Sequence, residues 1–303
     1  MPPSTPNPDV DEVVVFGRTP EKLATISDEF GFATTTDLDA LVNDGSVDLV
    51  DICLPTPLHE DVAVRALHAG KDVLIELPLA ATLDDAQRIV AAHRATGRRA
   101  FVDMFSRFSP ANHQLHDAAA DQRYGRLKVL EIEGRTALLW PGYDLSLHTL
   151  ALDMMHADFD LVIGLLGYPN TVQLVGTDGP NGRGSAAEVL LAYPAAFVRC
   201  TSSSLMPQPY GMRGGWRATF TGAVLDFAMS AGFTGQGPTT LTEYTAAGER
   251  VIELPAISPY AAMIDHVLAC LAEAVDNRIE PASALPALEL TLDVQRRLSQ
   301  SVG

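Results

Sequence analysis

The 303 residues read as an α/β region with a doubly wound parallel sheet, then an α+β region with an open, mainly antiparallel sheet and helices on one face. Three observations carry this. Val73-Leu-Ile75 is an uninterrupted apolar run closed by Glu76-Leu77-Pro78, the pattern of a strand buried on both faces. Val47 to Leu54 is a second such run, and the helical stretch Glu60 to Ala69 joins the two as a βαβ crossover. Beyond Pro110 the continuous runs give way to alternating segments, the signature of half-buried strands.

Taken in order, Met1 to Pro8 is a Pro-rich tail with neither a basic nor an apolar segment, so it does not read as a signal peptide. Strand Val13 to Phe16 leads through a turn to a helix that begins at Thr19-Pro20, with Pro at the first helical position and Gly31 as its cap. Thr36 to Asn43 reads as a second helix, and Thr82 to Thr96 as a third, with Asp84 and Asp85 in its favourable first turn. Arg99 to Phe105 is the last strand of this half. The second half opens with helix Ala111 to Asp121, strand Arg126 to Arg135 and a long helix from Leu145 to Leu166. Strands follow at 171–175, 187–193, 196–202, 216–221, 223–230, 239–244 and 250–254, and helices 259–275 and 282–299 close the chain. The expected division is a disordered tail over 1–10, a parallel-sheet domain over 11–109 and a substrate and dimerisation domain over 110–303.

Lys and Arg number 21 against 38 Asp and Glu, a formal charge of −17 that disfavours nucleic acid and anionic lipid as partners. No window carries the ~18 apolar residues of a membrane helix. Cys53, Cys200 and Cys270 are odd in number and far apart, which fits reduced thiols in a cytoplasmic protein and neither a disulfide framework nor a zinc site.

Leu54-Pro-Thr-Pro-Leu-His59 followed by Val73-Leu-Ile-Glu-Leu-Pro-Leu-Ala80 resembles the glucose-fructose oxidoreductase/inositol dehydrogenase (Gfo/Idh/MocA) family, whose members show an aliphatic strand, Glu-Lys-Pro and Leu-Ala. The resemblance implies an NAD- or NADP-linked dehydrogenase with a Rossmann-like first domain. In that family the Lys touches the substrate hydroxyl and the nicotinamide; Leu77 takes its place here. A second family signature, Asp-x-x-x-His-Asp-x-Asp, is matched by Asp153-Met-Met-His-Ala-Asp-Phe-Asp160, with Ala157 in the His slot and His156 one residue early. Strand Val13 to Phe16 matches the family's second strand, and Gly17 stands where an acidic residue holds the ribose. The first strand, its Gly-x-Gly-x-x-Gly turn and the first helix have no counterpart. Gly179 to Gly184 and Gly211 to Gly215 approach that spacing, but neither follows a strand and opens a helix. The parallel sheet is therefore expected to be incomplete, with Val13 to Phe16 paired either to Val47 to Ile52 or to a partner.

Candidate residues follow from these matches. Thr149, Asp153, His156 and Asp160 recur at spacings of four, three and four, which places them on one helical stripe. His156 reads either as an acid or base beside Asp153 or as a core histidine satisfied by a carboxylate. His148 either adds a second imidazole or narrows the cleft. Arg107 either grips an anionic substrate or forms a structural salt bridge. Glu76, Leu77 and Asp103 end strands at the carboxyl edge, where open α/β sheets bind ligands, and Tyr143 and Trp216 are candidates for an apolar wall. Asp and His on one stripe with no ligand from elsewhere do not make a metal site.

Three functions remain: an NAD(P)-linked sugar or cyclitol oxidoreductase, a cofactor-independent acid/base enzyme of isomerase, lyase or cyclase type acting on a small molecule between the domains, and a non-catalytic partner subunit. The absent phosphate turn, Leu77 and Ala157 together favour the second, with no cofactor and no metal. Leu offers no donor to charge developing on a substrate oxygen. A homodimer or higher homo-oligomer through the open sheet completes the expectation.

Overall fold

The computed structural model describes residues 7–138, 145–232 and 235–301, and the chain divides into two compact units. The first holds the residues up to Asp103 with Asp265–Ala282, the second Met104–Ile264 with Ser283 onward. The sequence places the boundary near 109 and does not foresee the return of 265–282.

The first unit runs β1 (Val14–Phe16), α1 (Pro20–Phe30), β2 (Ala33–Thr35), α2 (Leu38–Asn43), β3 (Leu49–Ile52), α3 (His59–His68), β4 (Asp72–Ile75), α4 (Leu83–Thr96) and β5 (Ala100–Val102). Helix α1 starts at its proline and stops at Gly31, whose φ of 73° is the left-handed conformation glycine adopts without strain. In α4 the Thr82 hydroxyl caps the first turn by accepting the Asp85 N–H at 3.1 Å. All four residues of β4 are buried, as the apolar run requires. Its first, Asp72, keeps its charge in the core because Arg98 Nε (3.0 Å) and the Arg99 N–H (2.7 Å) both donate to it. Residues 265–282 belong to this unit because Val102 donates its N–H to Ile279 O (2.8 Å) and Asn277 donates to Ala100 O (2.9 Å).

The strands form two separate parallel sheets, β1-β2 and β3-β4-β5. Sequence reading offers a direct pairing of β1 with β3 as one possibility. The structure instead pairs β1 with Ala33–Thr35, a short strand the sequence reading passes over, in the register Val14 with Ala33 and Phe16 with Thr35.

The second unit runs α5 (Pro110–Asp121), β6 (Leu127–Ala137), α6 (His156–Leu166), β7 (Thr171–Asp178), β8 (Ser185–Ala192), β9 (Phe197–Met206), β10 (Met212–Phe220), β11 (Ala223–Gly232), β12 (Gly235–Thr245), β13 (Gly248–Ile252), α7 (Pro259–Leu271) and α8 (Pro281–Gln300). Its eight strands lie in the order β13-β12-β11-β10-β6-β9-β8-β7, parallel only between β6 and β9. Two adjacent rows across the sheet show why it has a wet and a dry face. Leu174, Val189, Cys200, Ile132, Trp216, Phe227, Leu241 and Ile252 are register partners in sequence across all eight strands, and this apolar row packs into the core. One residue away, the row Leu190, Arg199, Glu131, Arg217, Asp226, Thr242 and Val251 faces outward. A slip of one residue would exchange the two rows, so the register is strongly specified.

The expected long helix from Leu145 is not continuous. Ala151–Met155 form a π-helical turn, and regular α6 starts only at His156. Arg107 bonds Asp160 through Nε (2.9 Å) and Nη2 (2.7 Å), and Ser283 at its hydroxyl (2.9 Å) and carbonyl (3.0 Å). This cluster ties α6 and α8 to the segment before α5. No helix among the described residues is long and apolar enough to cross a membrane.

Two stability predictions follow. Arg107→Ala leaves the Asp160 carboxylate buried without its cation and costs this unit about 3 kcal/mol in urea unfolding, whereas the paired change Arg107→Leu with Asp160→Leu costs less. Asp158, in the first turn of α6, has its carboxyl pushed up to about 7 by burial. An acid raised in the folded state loses stability as pH climbs from its unfolded pKa near 3.8 through 7, so Asp158→Asn is more stable than the parent at pH 8 and equal to it near pH 3. Melting temperatures across that range check the sign.

Candidate functional site

In the first unit the candidate residues gather at the carboxyl ends of β3, β4 and β5. His59, fully buried, staples two of these ends. Its Nε2 lies 2.7 Å from Leu54 O in the loop after β3, and its Nδ1 lies 3.1 Å from Pro78 O after β4. Leu77 and Pro78 are joined by a cis peptide, and the Glu76 carboxylate accepts the Leu77 N–H at 2.8 Å. Glu76 and Leu77 are half-buried and Asp103 is buried.

Two further residues share this edge that sequence reading does not single out. Asp51 has its carboxyl raised by burial and, more weakly, by Glu76, against the lowering effect of the Cys53 thiol that donates to it at 3.5 Å. Cys53 is exposed where the sequence suggests a core thiol. Its immediate surroundings still desolvate the sulfur, and with the charges of Asp51, Glu76 and Asp103 they push the thiol up to about 12. It is therefore a neutral thiol and not a nucleophile. The alternation around Ile52 was the available signal, because inward Val50 and Ile52 force Asp51 and Cys53 outward.

These ends do not fit the diphosphate of a dinucleotide. The Gly17 N–H after β1 is already donated to Thr35 O at 3.1 Å. Helix α1 begins with Pro20, which has no N–H, and Glu21; Pro55 and Pro57 precede α3, whose first turn holds Glu60 and Asp61; α4 opens with Asp84 and Asp85. A phosphate requires spare backbone donors at a helix start without competing carboxylates. None of the described helices in this unit supplies them.

In the second unit the candidates lie along the segment from Ser146 to Asp160. His148 and Asp153 are exposed, while His156 is 3% exposed, so Asp153 and His156 do not share a face. The wider π turn between 151 and 155 breaks the α-helical spacing on which the stripe was drawn. His156 Nδ1 lies 2.8 Å from Thr291 Oγ1, and that hydroxyl donates to Ala287 O at 2.7 Å. The hydroxyl proton being committed, His156 donates from Nδ1, and its Nε2 is left as a buried atom with no partner. Burial, reinforced by Arg107 and opposed by Asp160, pushes the imidazole down to about 4, so it stays neutral across the physiological range. No sequence signal pointed to Thr291.

Arg107 commits its fork to Asp160 and Ser283 as described. Trp216 is a core residue, donating its indole N–H to Asn112 Oδ1 at 3.0 Å. Tyr143 lies outside the described residues. No group of three or more metal-type side chains is assembled among the described residues.

With this geometry in hand, comparison with known proteins is informative. Residues 2–104 match the model of the oxidoreductase family with an NAD-binding Rossmann fold, Gfo/Idh/MocA. The chain is 31% identical over 128 residues to 4-carboxy-2-hydroxymuconate-6-semialdehyde dehydrogenase of a Sphingobium species, covering 42% of this chain and 40% of that protein. It is 35% identical over 115 residues to 1,5-anhydro-D-fructose reductase of Ensifer adhaerens, covering 38% of this chain and 34% of the relative. These alignments thus span less than half of the relatives. A structure described as a putative NADPH-dependent oxidoreductase from Desulfitobacterium hafniense superposes with a TM-score of 0.83 at 17% identity, over 97% of this chain and 90% of that one, which establishes the shared fold.

These findings overturn two expectations. The cofactor-independent isomerase, lyase or cyclase gives way to the oxidoreductase alternative, because the matched family is NAD-binding and the relatives are named as a dehydrogenase and a reductase. The expectation of no cofactor gives way to NAD or NADP on the same grounds. The departures at Leu77 and Ala157 are changes of residue within that family and not departures from it. Through its residues 2–104, the chain belongs to the Gfo/Idh/MocA oxidoreductase family.

Proposed function

We propose that this chain is the body of an NAD- or NADP-dependent oxidoreductase that interconverts a hydroxyl and a carbonyl on a small polyhydroxylated substrate of sugar or cyclitol type. The observation that carries the reading is the match of residues 2–104 to an NAD-binding family, supported by the dehydrogenase and reductase names of the relatives. Asp153 and His148, both exposed, are the side chains we assign to the substrate. Asp153 accepts from a substrate hydroxyl, and His148 titrates near neutrality and handles its proton. His156 is a positioning residue, fixing the start of α6 to Thr291 of α8. Glu76, Leu77 and Asp103 border the ligand at the strand ends, with Leu77 adding apolar surface. A cytoplasmic location belongs to the same reading, supported by three free thiols.

The chain is proposed to act as a homodimer or higher homo-oligomer through the open face of the eight-stranded sheet. Across its middle run the ion pairs Arg199–Glu131 (2.5 Å) and Arg217–Asp226 (2.7 Å), flanked by exposed Leu190 and Phe197 on one side and Val251 on the other. Apolar surface around a self-complementary charge pattern suits a two-fold contact.

Turnover is tested by nicotinamide absorbance with NAD and NADP against sugars, cyclitols and their keto forms, using the purified chain and lysate of cells that express it. Cofactor-linked turnover of one class is expected, and Asp153→Asn should lower kcat/KM by about 100-fold. No turnover in either preparation would overturn the assignment. Light scattering should give a mass of at least two chains, and Leu190→Asp with Phe197→Asp should bring it to one.

A further inference from the structure

The split in the parallel sheet is specific. In a doubly wound dinucleotide fold the strands lie in the order 3-2-1-4-5-6, and the turn after strand 1 carries the phosphate donors. Here β2-β1 and β3-β4-β5 reproduce the two sides of that order, with the position between β1 and β3 filled by none of the described strands.

Strand alternation shows which groups face that position. Gly17 donates to Thr35 O, so in β1 the N–H groups of Val15 and Gly17 point to β2 and those of Val14 and Phe16 point away. Asp72 and Glu76 donate to Asp48 O and Ile52 O, so in β3 the even positions point to β4 while Leu49 and Asp51 turn their N–H and C=O groups outward. Two rows of unpaired backbone groups thus border one strand position. Open edges of this kind invite β-strand addition.

We propose that β1 and β3 frame a docking slot for one further parallel strand. The occupant is a strand that ends in a glycine-rich turn and runs into a helix, carried on a separate stretch of polypeptide. Its chemistry is set by the slot. The strand is parallel because each flanking pair is parallel, and apolar because Val14, Val15 and Phe16 are half-buried and Val50 and Ile52 buried. Its turn must bring backbone N–H donors, because Pro20, Pro55 and Pro57 and the acidic first turns of α1, α3 and α4 leave none for a diphosphate. None of the 303 residues carries that turn. Nicotinamide nucleotide affinity is then conditional on the inserted strand. This last part rests on the oxidoreductase reading; the slot itself does not.

The probe is a synthetic peptide of about 30 residues, the length of one βα unit, with an apolar strand, Gly-x-Gly-x-x-Gly and an amphipathic helix. Amide hydrogen exchange is followed by NMR in the chain with and without it. In the chain alone, Val14, Phe16, Leu49 and Asp51 should exchange faster than Val15, Val50 and Ile52. Saturating peptide should slow those four by about tenfold or more and bring NADPH fluorescence enhancement that the chain alone lacks. Phe16→Pro and Asp51→Pro each remove one outward N–H at an edge where proline is tolerated, and each should abolish the slowing. Should one variant fail to fold, the other carries the test. The slot is refuted if the four amides are already slow in the chain alone, if saturating peptide leaves them unchanged, or if slowing persists in both variants. Slowing without an NADPH signal supports the slot and counts against the nicotinamide reading. NADPH binding by the chain alone overturns the dependence on a strand.

Discussion

A strand inside a parallel sheet needs partners on both edges, since each unpaired and desolvated N–H or C=O costs about as much as the hydrogen bond it forgoes. Strands β4 and β3 meet that condition on the side they share, and β5 meets it on its outer side through Ile279. β1 and β3 meet it on one side each. Much else in the first unit is arranged around that. The buried Asp72 held by Arg98 and Arg99, and His59 between Leu54 and Pro78, fix the β3–β5 sheet as a rigid body without help from β1. Lys71, donating to Val47 O (2.8 Å) and to Asp44 O, then ties the end of α2 to that body.

The second unit distributes its polar groups by a different rule. Its sheet sends a row of alternating charges outward and a row of apolar side chains inward, and the helices cover only the inward face. Charge that does enter the core is paired, as Arg107 with Asp160, or neutral, as His156. The π turn makes this possible. By adding a residue to the helical turn it leaves Asp153 at the surface while carrying His156 under α8, where Thr291 receives its proton. Such turns recur at functional sites because they re-aim side chains without ending the helix.

How far residues could be read from sequence depended on whether local pattern or long-range pairing set their place. The Val73–Ile75 run, the Pro20 and Thr82 helix starts and the Gly31 and Gly97 ends all lie where pattern put them. Asp51 and Cys53 were visible as outward positions of a strand and were passed over because neither belongs to a recognised motif. β2 was missed because three residues rich in Thr carry little signal of their own and are a strand only through β1. The Asp153–His156 stripe failed because a period drawn from 3.6 residues per turn does not hold through a π turn, and no side chain announces one.

The sequence alone determined the fold class, the order of elements and the family, because hydrophobic period, cap residues and short motifs are local and survive in a linear reading. Only the tertiary structure decided that the parallel sheet parts between β1 and β3, that Arg107 closes on Asp160 and Ser283, and that His156 is buried and neutral. Each of these depends on partners distant in sequence, 53 residues for Arg107 and 135 for His156. Charge state and strand pairing are set by what surrounds a group in space, which spacing along the chain does not encode.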